Sequence, residues 1–239
     1  MSRISSFEVS RSTRASKVAL VGWIVILGVL ISVPFWAGRG DMRFLIEFAY
    51  YLTLAQMWNL LAGYAGLVSV GQQAFVGLGG YMLFAASVYF GIHPVIAIPI
   101  AGVLIALISI PTAFVVFRLR GAYFAIGTWV VAEVFRLLFA QISSLGGGSG
   151  MSIPAKIVKE IASGRTERDM LIYFTALVIL VAGTAMVYLL MRSKYGLALT
   201  AIRDSEPASD SLGVNIFKTK LTIYVASAAV TGVVGALIF

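Results

Sequence analysis

Two oppositely charged side chains, Glu133 and Arg136, lie three residues apart in an otherwise apolar stretch of the sequence. Residues at i and i+3 share one face of a helix, so the carboxylate and the guanidinium can pair. Ionisable groups inside a membrane-spanning helix face the protein interior or a water-filled cavity, and they often mark a solute pathway. Two interpretations stay open: an internal ion pair whose arginine reaches toward the membrane surface, or a polar element of a translocation path.

A second polar group lies in the glycine-rich stretch "GYAGLVSVGQQAFVGLGGY", residues 63 to 81. Small residues let helices approach closely, but unwound backbone that lines a polar path at membrane depth is also rich in glycine. The adjacent Gln72 and Gln73 favour an interrupted helix, because a packing seam needs small residues rather than long amides. Gly77, Gly79 and Gly80 are instead expected to pack against another helix. The predicted translocation path comprises Gly63, Gly66, Ser69, Gly71, Gln72, Gln73, Glu133 and Arg136.

Residue patterns typical of catalysis are missing from the sequence. No G-x-x-x-x-G-K-[ST] motif occurs, so no nucleotide-binding loop is predicted. The single histidine, His93, precedes Pro94 in a predicted turn and has no partner for metal or acid–base chemistry. Without cysteine, disulfides and thiolate metal sites are excluded. We therefore predict a protein that is not an enzyme and binds no metal or cofactor of its own.

The elements that must position these residues are membrane-spanning helices. The chain is 60% hydrophobic and 12% charged, with a mean hydropathy of +0.96, outside the range of soluble globular domains. Runs of about 20 apolar residues match the thickness of the hydrocarbon core. The first run is too long for a cleaved signal peptide and is expected to be retained. The sequence predicts an all-α polytopic bundle with seven spans, at about 18–37, 44–61, 75–90, 94–117, 121–141, 170–191 and 221–239.

The distribution of lysine and arginine predicts the orientation. With the N-terminus in the cytoplasm, eleven of these residues fall on the cytoplasmic side and six on the outer side, which satisfies the positive-inside rule. The net charge of +8 is then explained by topology and contact with anionic lipid, and gives no case for nucleic acid. Residues 1–17 are predicted to be a basic cytoplasmic tail and residues 18–239 the transmembrane domain. Its two long polar connections are an outer loop at 142–169 and a cytoplasmic loop at 192–220.

The cytoplasmic loop, "RSKYGLALTAIRDSEPASDSLGVNIFKTK", has the signals of two short helices. Ser205 can cap the second helix, Pro207 is tolerated in its first turn, and Gly213 suits a left-handed stop. In the first helix, one apolar face is predicted from Leu197, Leu199, Ala201 and Ile202. So compact a loop favours docking of a soluble partner over a simple connection.

Three stretches together resemble one family. "NLLAGYAGLVSVGQQAFVGLGGY", "FRLRGAYFAIGTWVVAEVFR" and "GLALTAIRDSEPASDSLGVNIFKTK" are similar to the inner-membrane permeases of branched-chain amino-acid ABC importers, the LivH/LivM type and its LivM-like branch especially. The resemblance runs in order from about residue 44 to residue 239. Members of this family usually continue through further helices beyond the position of Phe239, so a fragment or a shortened gene product is one expectation for this chain.

The resemblance implies a permease subunit without ATPase activity of its own. Its implied partners are a second homologous permease, two cytoplasmic ABC ATPases that bind ATP and Mg²⁺, a periplasmic or lipid-anchored solute-binding protein, and membrane lipids. Its implied solutes are branched-chain or other hydrophobic amino acids, with amides or urea as further candidates. The cytoplasmic loop would couple to an ATPase, although Pro207 and Ser209 depart from the family pattern. The implied coupling residues are Arg203, Asp204, Glu206, Ala208, Leu212 and Gly213.

Two other functions stay open. A secondary transporter or channel for a small polar solute also uses broken helices, but it needs a coupling-ion site, and the one deep carboxylate is offset by Arg136. The second of these alternatives is a non-transporting fragment that assembles with, or regulates, a full-length permease.

Overall fold

The computed structural model describes residues 14–147, 154 and 164–238. In this part the chain is helical and contains no β-strand, which confirms the predicted all-α class. A 3₁₀ turn follows α1 at Val33–Phe35, and a second lies at Ser143–Leu145. The helices of the described part are α1 (Arg14–Ser32), α2 (Arg39–Asn59), α3 (Gln72–Val88), α4 (Pro94–Val116), α5 (Ala122–Ala140), α6 (Arg165–Arg192), α7 (Lys194–Asp204), α8 (Glu206–Ser211) and α9 (Ile216–Ile238).

Five of these helices are long and apolar enough to cross a membrane: α1, α4, α5, α6 and α9. The seven predicted spans also counted α2 and α3. α2 begins with Arg39, Asp41 and Arg43 and continues to Glu47, which lowers its apolar character. α3 has 17 residues, or about 26 Å at about 1.5 Å per residue, slightly less than a hydrocarbon core of about 30 Å. The molecule is a multi-pass helical membrane protein, and the count of seven stays a prediction.

The centre of the bundle is α9, which packs against both α3 and α4, while α2 packs against α6. The contact between α3 and α9 is made by glycine. A Cβ on Gly79 would lie 2.1 Å from the carbonyl oxygen of Gly232, and one on Gly235 would lie 2.1 Å from the carbonyl oxygen of Val76. Small residues therefore let the two backbones touch. The prediction of helix packing is confirmed for Gly79 but wrong for Gly77, where a Cβ would meet nothing within 4 Å.

Contacts between loops define the two ends of the bundle. At one end, Arg39 lies 3.7 Å from the carboxylate of Asp169 and donates a 3.2 Å hydrogen bond to the hydroxyl of Thr166. The hydroxyl of Tyr89 donates to the carbonyl oxygen of Ser144 at the turn that follows α5. At the other end, the turn between α4 and α5 meets α8 and the start of α9. The predicted outer loop and cytoplasmic loop thus belong to opposite ends.

Parts of the predicted domain boundaries fall outside the described residues. These are residues 1–13 of the predicted tail and, apart from residue 154, residues 148–163 of the outer loop. α1 begins at Arg14, so the last four residues of the predicted tail are helical.

Candidate functional site

The predicted interruption is present between α2 and α3. α2 continues into a π-helical turn at Leu60–Tyr64, and residues 65–71 then follow without regular helix. Gly66 has a φ of +66°, a left-handed conformation that favours glycine. π-helical turns are rare and frequently lie at functional sites.

Hydrogen bonds from several elements hold the backbone of this interrupted segment. The amide of Leu67 donates to the carbonyl oxygen of Leu61 at 2.9 Å. The amide of Val70 donates to the hydroxyl of Thr128 on α5 at 3.1 Å, and the indole of Trp58 donates to the carbonyl oxygen of Ser69 at 3.1 Å. Unwound backbone at membrane depth needs such partners, because lipid supplies none.

Two of the predicted glycines are required by close approach. A Cβ on Gly71 would lie 2.4 Å from the carbonyl oxygen of Thr128, so this glycine lets the segment touch the backbone of α5. A Cβ on Gly63 would lie 2.3 Å from the amide oxygen of Asn59, a side chain that can move. The constraint is therefore strict at Gly71 and weaker at Gly63.

Ser69 and Gln72 carry buried polar atoms that lack partners in the described part of the chain. The side chain of Ser69 belongs to a residue only 1% exposed, and its hydroxyl makes no hydrogen bond there. The amide oxygen of Gln72 accepts a 3.1 Å bond from the hydroxyl of Thr231 on α9, but its amide nitrogen has no such partner. Buried polar groups are normally satisfied, so the interrupted segment departs from the usual pattern at two adjacent positions in the fold.

Gln73, Glu133 and Arg136 come together in a cleft between α3 and α5. Its volume is about 190 Å³, and its lining includes Gly77 and Tyr81. The guanidinium of Arg136 donates from Nε to both carboxylate oxygens of Glu133, at 2.9 and 3.0 Å. The predicted i,i+3 pair is confirmed, and it borders an open cleft.

The eight predicted path residues therefore do not line one cavity. Gly66 lines a groove at the opposite end of the interrupted segment, with a volume of about 380 Å³. Residues 66–73 run from this groove to the cleft that holds Gln73. The groove is lined by residues that include Leu67, Phe117, Arg120, Glu206 and Lys220.

The proposed coupling loop folds as two short helices, as its sequence predicts. Ser193 caps α7, and Ser205 caps α8 by accepting a 3.4 Å bond from the amide of Ala208. Gly213 ends α8 with a φ of +81°. Leu199 and Ile202 are buried, but Leu197 is 75% exposed, so its predicted place on the apolar face is wrong. At 100° per residue, Leu197 points away from the other two.

The remaining predicted coupling residues lie on the surface or in the groove. Arg203 and Asp204 are exposed and pair with each other at 3.2 Å. Leu212 is 81% exposed at the end of α8. Glu206 instead forms an ion pair with Lys220 at the start of α9, which fixes α8 against the bundle.

Sequence reasoning missed Thr128, Thr231 and Lys220. The sequence does contain one signal for Thr128, its spacing of four residues from Phe124 and from Ala132, which predicts a shared helix face but does not identify its partner. No sequence signal marks Thr231 or Lys220, since their partners, Gln72 and Glu206, lie on other elements of the chain. Within residues 14–147 and 164–238, no group of three His, Asp or Glu side chains is placed to hold a metal ion.

Known proteins are similar to this chain in sequence. Residues 42–239 match the family described as "Branched-chain amino acid transport system / permease component". The chain is 29% identical, over 248 aligned positions, to the high-affinity branched-chain amino acid transport system permease protein LivM of Escherichia coli (strain K12), and equally to its namesake in Salmonella typhimurium (strain LT2). The alignments cover 95% of this chain and 58% of each relative. No solved structure matches. With its interrupted α2–α3 connection and a family match over residues 42–239, the chain belongs to the family of permease components of branched-chain amino acid transport systems.

Proposed function

We propose that this chain is a permease subunit of an ABC importer and forms part of the translocation path for branched-chain or other hydrophobic amino acids, with amides or urea as further candidates. The observation that carries the proposal is the folded loop at one end of the bundle. α7 and α8 are capped by serines, closed by Gly213 and joined to α9 through Glu206. A transporter that draws energy from a soluble ATPase needs a rigid docking element of this kind.

The proposed assembly contains a second homologous permease, two cytoplasmic ABC ATPases that bind ATP and Mg²⁺, and a periplasmic or lipid-anchored solute-binding protein. The name of the relatives supports a transport system, since both are permease proteins of a high-affinity system. This chain spans 58% of their length, so its partners and solutes are part of the proposal.

The proposed orientation places the N-terminus in the cytoplasm of a cell with an inner membrane. It puts the α4–α5 turn and the 192–220 loop on the cytoplasmic side. Together these two connections carry seven lysines and arginines: Arg118, Arg120, Arg192, Lys194, Arg203, Lys218 and Lys220. The N-terminal tail adds four more on this side in the sequence, which makes eleven, and the opposite side carries six: Arg39, Arg43, Lys156, Lys159, Arg165 and Arg168. This asymmetry agrees with the positive-inside rule.

The proposed solute path follows residues 63–73 toward the Glu133–Arg136 pair. It would use Gly63, Gly66, Ser69, Gly71, Gln72, Gln73, Glu133 and Arg136. The support is the run of unwound backbone with two unpaired buried polar atoms, together with the cleft at its end.

The proposed ATPase contact involves Arg203, Asp204, Glu206, Ala208, Leu212 and Gly213. Leu212 is the sharpest test, because its side chain is 81% exposed and its replacement removes no buried contact within this chain. In the proposed assembly this exposed side chain at the end of α8 packs against the ATPase.

The experiment is co-purification of the tagged chain from its native membranes in mild detergent, with Leu212→Asp beside the wild type. Leu197→Asp is the matched control, since it makes the same change at a second exposed leucine of the same loop. We expect the wild type and the control to bring down an ABC ATPase and a second permease, and Leu212→Asp to lose the ATPase while keeping the permease. A wild-type chain that is recovered without any ATPase would refute the importer and favour a secondary transporter or channel.

A further inference from the structure

The Glu133–Arg136 pair is open to its surroundings although it lies on a membrane-spanning helix. Its side chains are 47% and 65% exposed. Among the described residues no third charged group closes on the pair, and around it α5 presents the exposed side chains of Trp129, Val130 and Leu137. Charges within a span face a protein interior or a polar cavity rather than lipid. The pair is therefore expected to face a polar space rather than lipid.

That space has the size of one small solute. The cleft volume of about 190 Å³ equals roughly six waters at about 30 Å³ each. On the α3 side the cleft has free space beside Gly77, where a Cβ would meet no heavy atom within 4 Å. At the far end the rings of Tyr81 and Phe139 pack with their centroids 5.0 Å apart. The cleft thus has a charged side, an apolar end and free space between them.

The arrangement of charge selects one ligand class. Arg136 and Glu133 present a positive and a negative group side by side, so a ligand with one charge would attract one of them and repel the other. A zwitterion carries an ammonium and a carboxylate on a single carbon and complements both. The apolar end, lined by Phe135 and Phe139, suits an aliphatic side chain.

We propose that the cleft between α3 and α5 is a specificity site for a zwitterionic α-amino acid. In it Arg136 binds the carboxylate, Glu133 binds the ammonium, and the side chain lies toward Phe135 and Phe139. The proposal rests on the proposed importer function and adds that the permease itself discriminates between solutes. The two side chains bond to each other in the structure, and a bound zwitterion would take over part of each interaction.

The test measures direct binding of three radiolabelled probes to the detergent-purified complex of permeases and ATPases, without the solute-binding protein. The probes are leucine, isoamylamine, which lacks the carboxylate, and isocaproate, which lacks the ammonium. Arg136→Gln leaves Glu133 alone and should shift the preference from leucine toward the amine by roughly tenfold, the effect of one hydrogen bond to a charged group. Glu133→Gln should shift the preference from leucine toward isocaproate by a similar factor. A purely structural ion pair would weaken all probes alike or none.

Two further variants complete the design. Arg39→Gln breaks the Arg39–Asp169 pair at the outer end and should leave the probe preference unchanged. Gly77→Leu fills the cleft without touching either charge and should abolish binding of all three probes. Preferences that do not move in opposite directions, or a wild-type complex that binds none of the probes, would overturn the specificity site. If the complex still contains the ATPase in either case, only the specificity site is refuted and the importer proposal is unaffected. Loss of the ATPase from the wild-type complex would count against the importer proposal instead.

Discussion

Replacing Gly79 with alanine tests the helix contact at the centre of the bundle. The added Cβ would lie 2.1 Å from the carbonyl oxygen of Gly232, 2.9 Å from its carbonyl carbon and 3.0 Å from the amide nitrogen of Ala236. All three are backbone atoms of α9, so no side-chain rotation relieves the overlap. α3 and α9 would have to separate by on the order of 1 Å to restore normal contact distances of about 3.5 Å.

The expected cost follows from that separation. Overpacking of a close-packed interior costs about 1–3 kcal/mol. A glycine-to-alanine change in a helix also contributes up to about 1 kcal/mol in the opposite direction, through helix propensity. Gly77→Ala, two residues away on α3, carries the same propensity gain but meets nothing within 4 Å. The difference between the two variants therefore isolates the packing term, and we expect Gly79→Ala to be less stable than Gly77→Ala by about 1–3 kcal/mol.

The assay is thermal unfolding of both purified variants in one detergent. For a chain of this length about 1 kcal/mol corresponds to roughly 2–4 °C in Tm, so Gly79→Ala should melt about 2–12 °C below Gly77→Ala. Equal melting temperatures would refute the inference that backbone contact at Gly79 sets the distance between α3 and α9.

Two further perturbations test the interrupted segment and the coupling loop. Thr128→Val removes the acceptor for the amide of Val70 and should destabilise the chain by about 1–3 kcal/mol. The control Thr128→Ser keeps the hydroxyl and should retain the stability of the wild type. Equal Tm values for the two variants would contradict this role of the hydroxyl. Gly213→Ala forces a Cβ into a conformation with φ of +81°, at a cost of roughly 1–2 kcal/mol. Limited proteolysis should therefore cut the 192–220 loop faster in this variant than in the control Gly22→Ala, whose Cβ meets nothing within 4 Å. Identical cleavage rates would show that the left-handed stop is not needed.

The features that were predictable from the sequence depend on near neighbours in the chain. Ser205 caps α8 through an amide three residues away, and Gly213 closes the helix two residues after its last residue. The Glu133–Arg136 pair needs only one turn of helix. Each outcome is set by local geometry, which residue types and spacing already specify.

The features that escaped prediction depend on how helices cross. Val70 meets Thr128 over 58 residues of chain, and Gln72 meets Thr231 over 159. No local pattern specifies which turn of α5 or α9 will face the interruption. Gly77 was misjudged for the same reason, because its distance from α9 depends on the rotation of α3 about its own axis.

α9 connects the proposed coupling helix to the interrupted segment. Its Lys220 pairs with Glu206 of α8, and eleven residues later its Thr231 donates to Gln72, where α3 begins. Eleven residues make just over three full turns at about 3.6 residues each, so the two contacts share one face of α9 about 16 Å apart. Because α9 is held against α3 by direct backbone contact at Gly79, it cannot slide freely past that helix. A displacement of α8 that keeps this ion pair pulls on the start of α9, the helix that also bonds Gln72. If the 192–220 loop meets an ATPase as proposed, coupling should depend on the side chains along that face of α9 as well as on the loop.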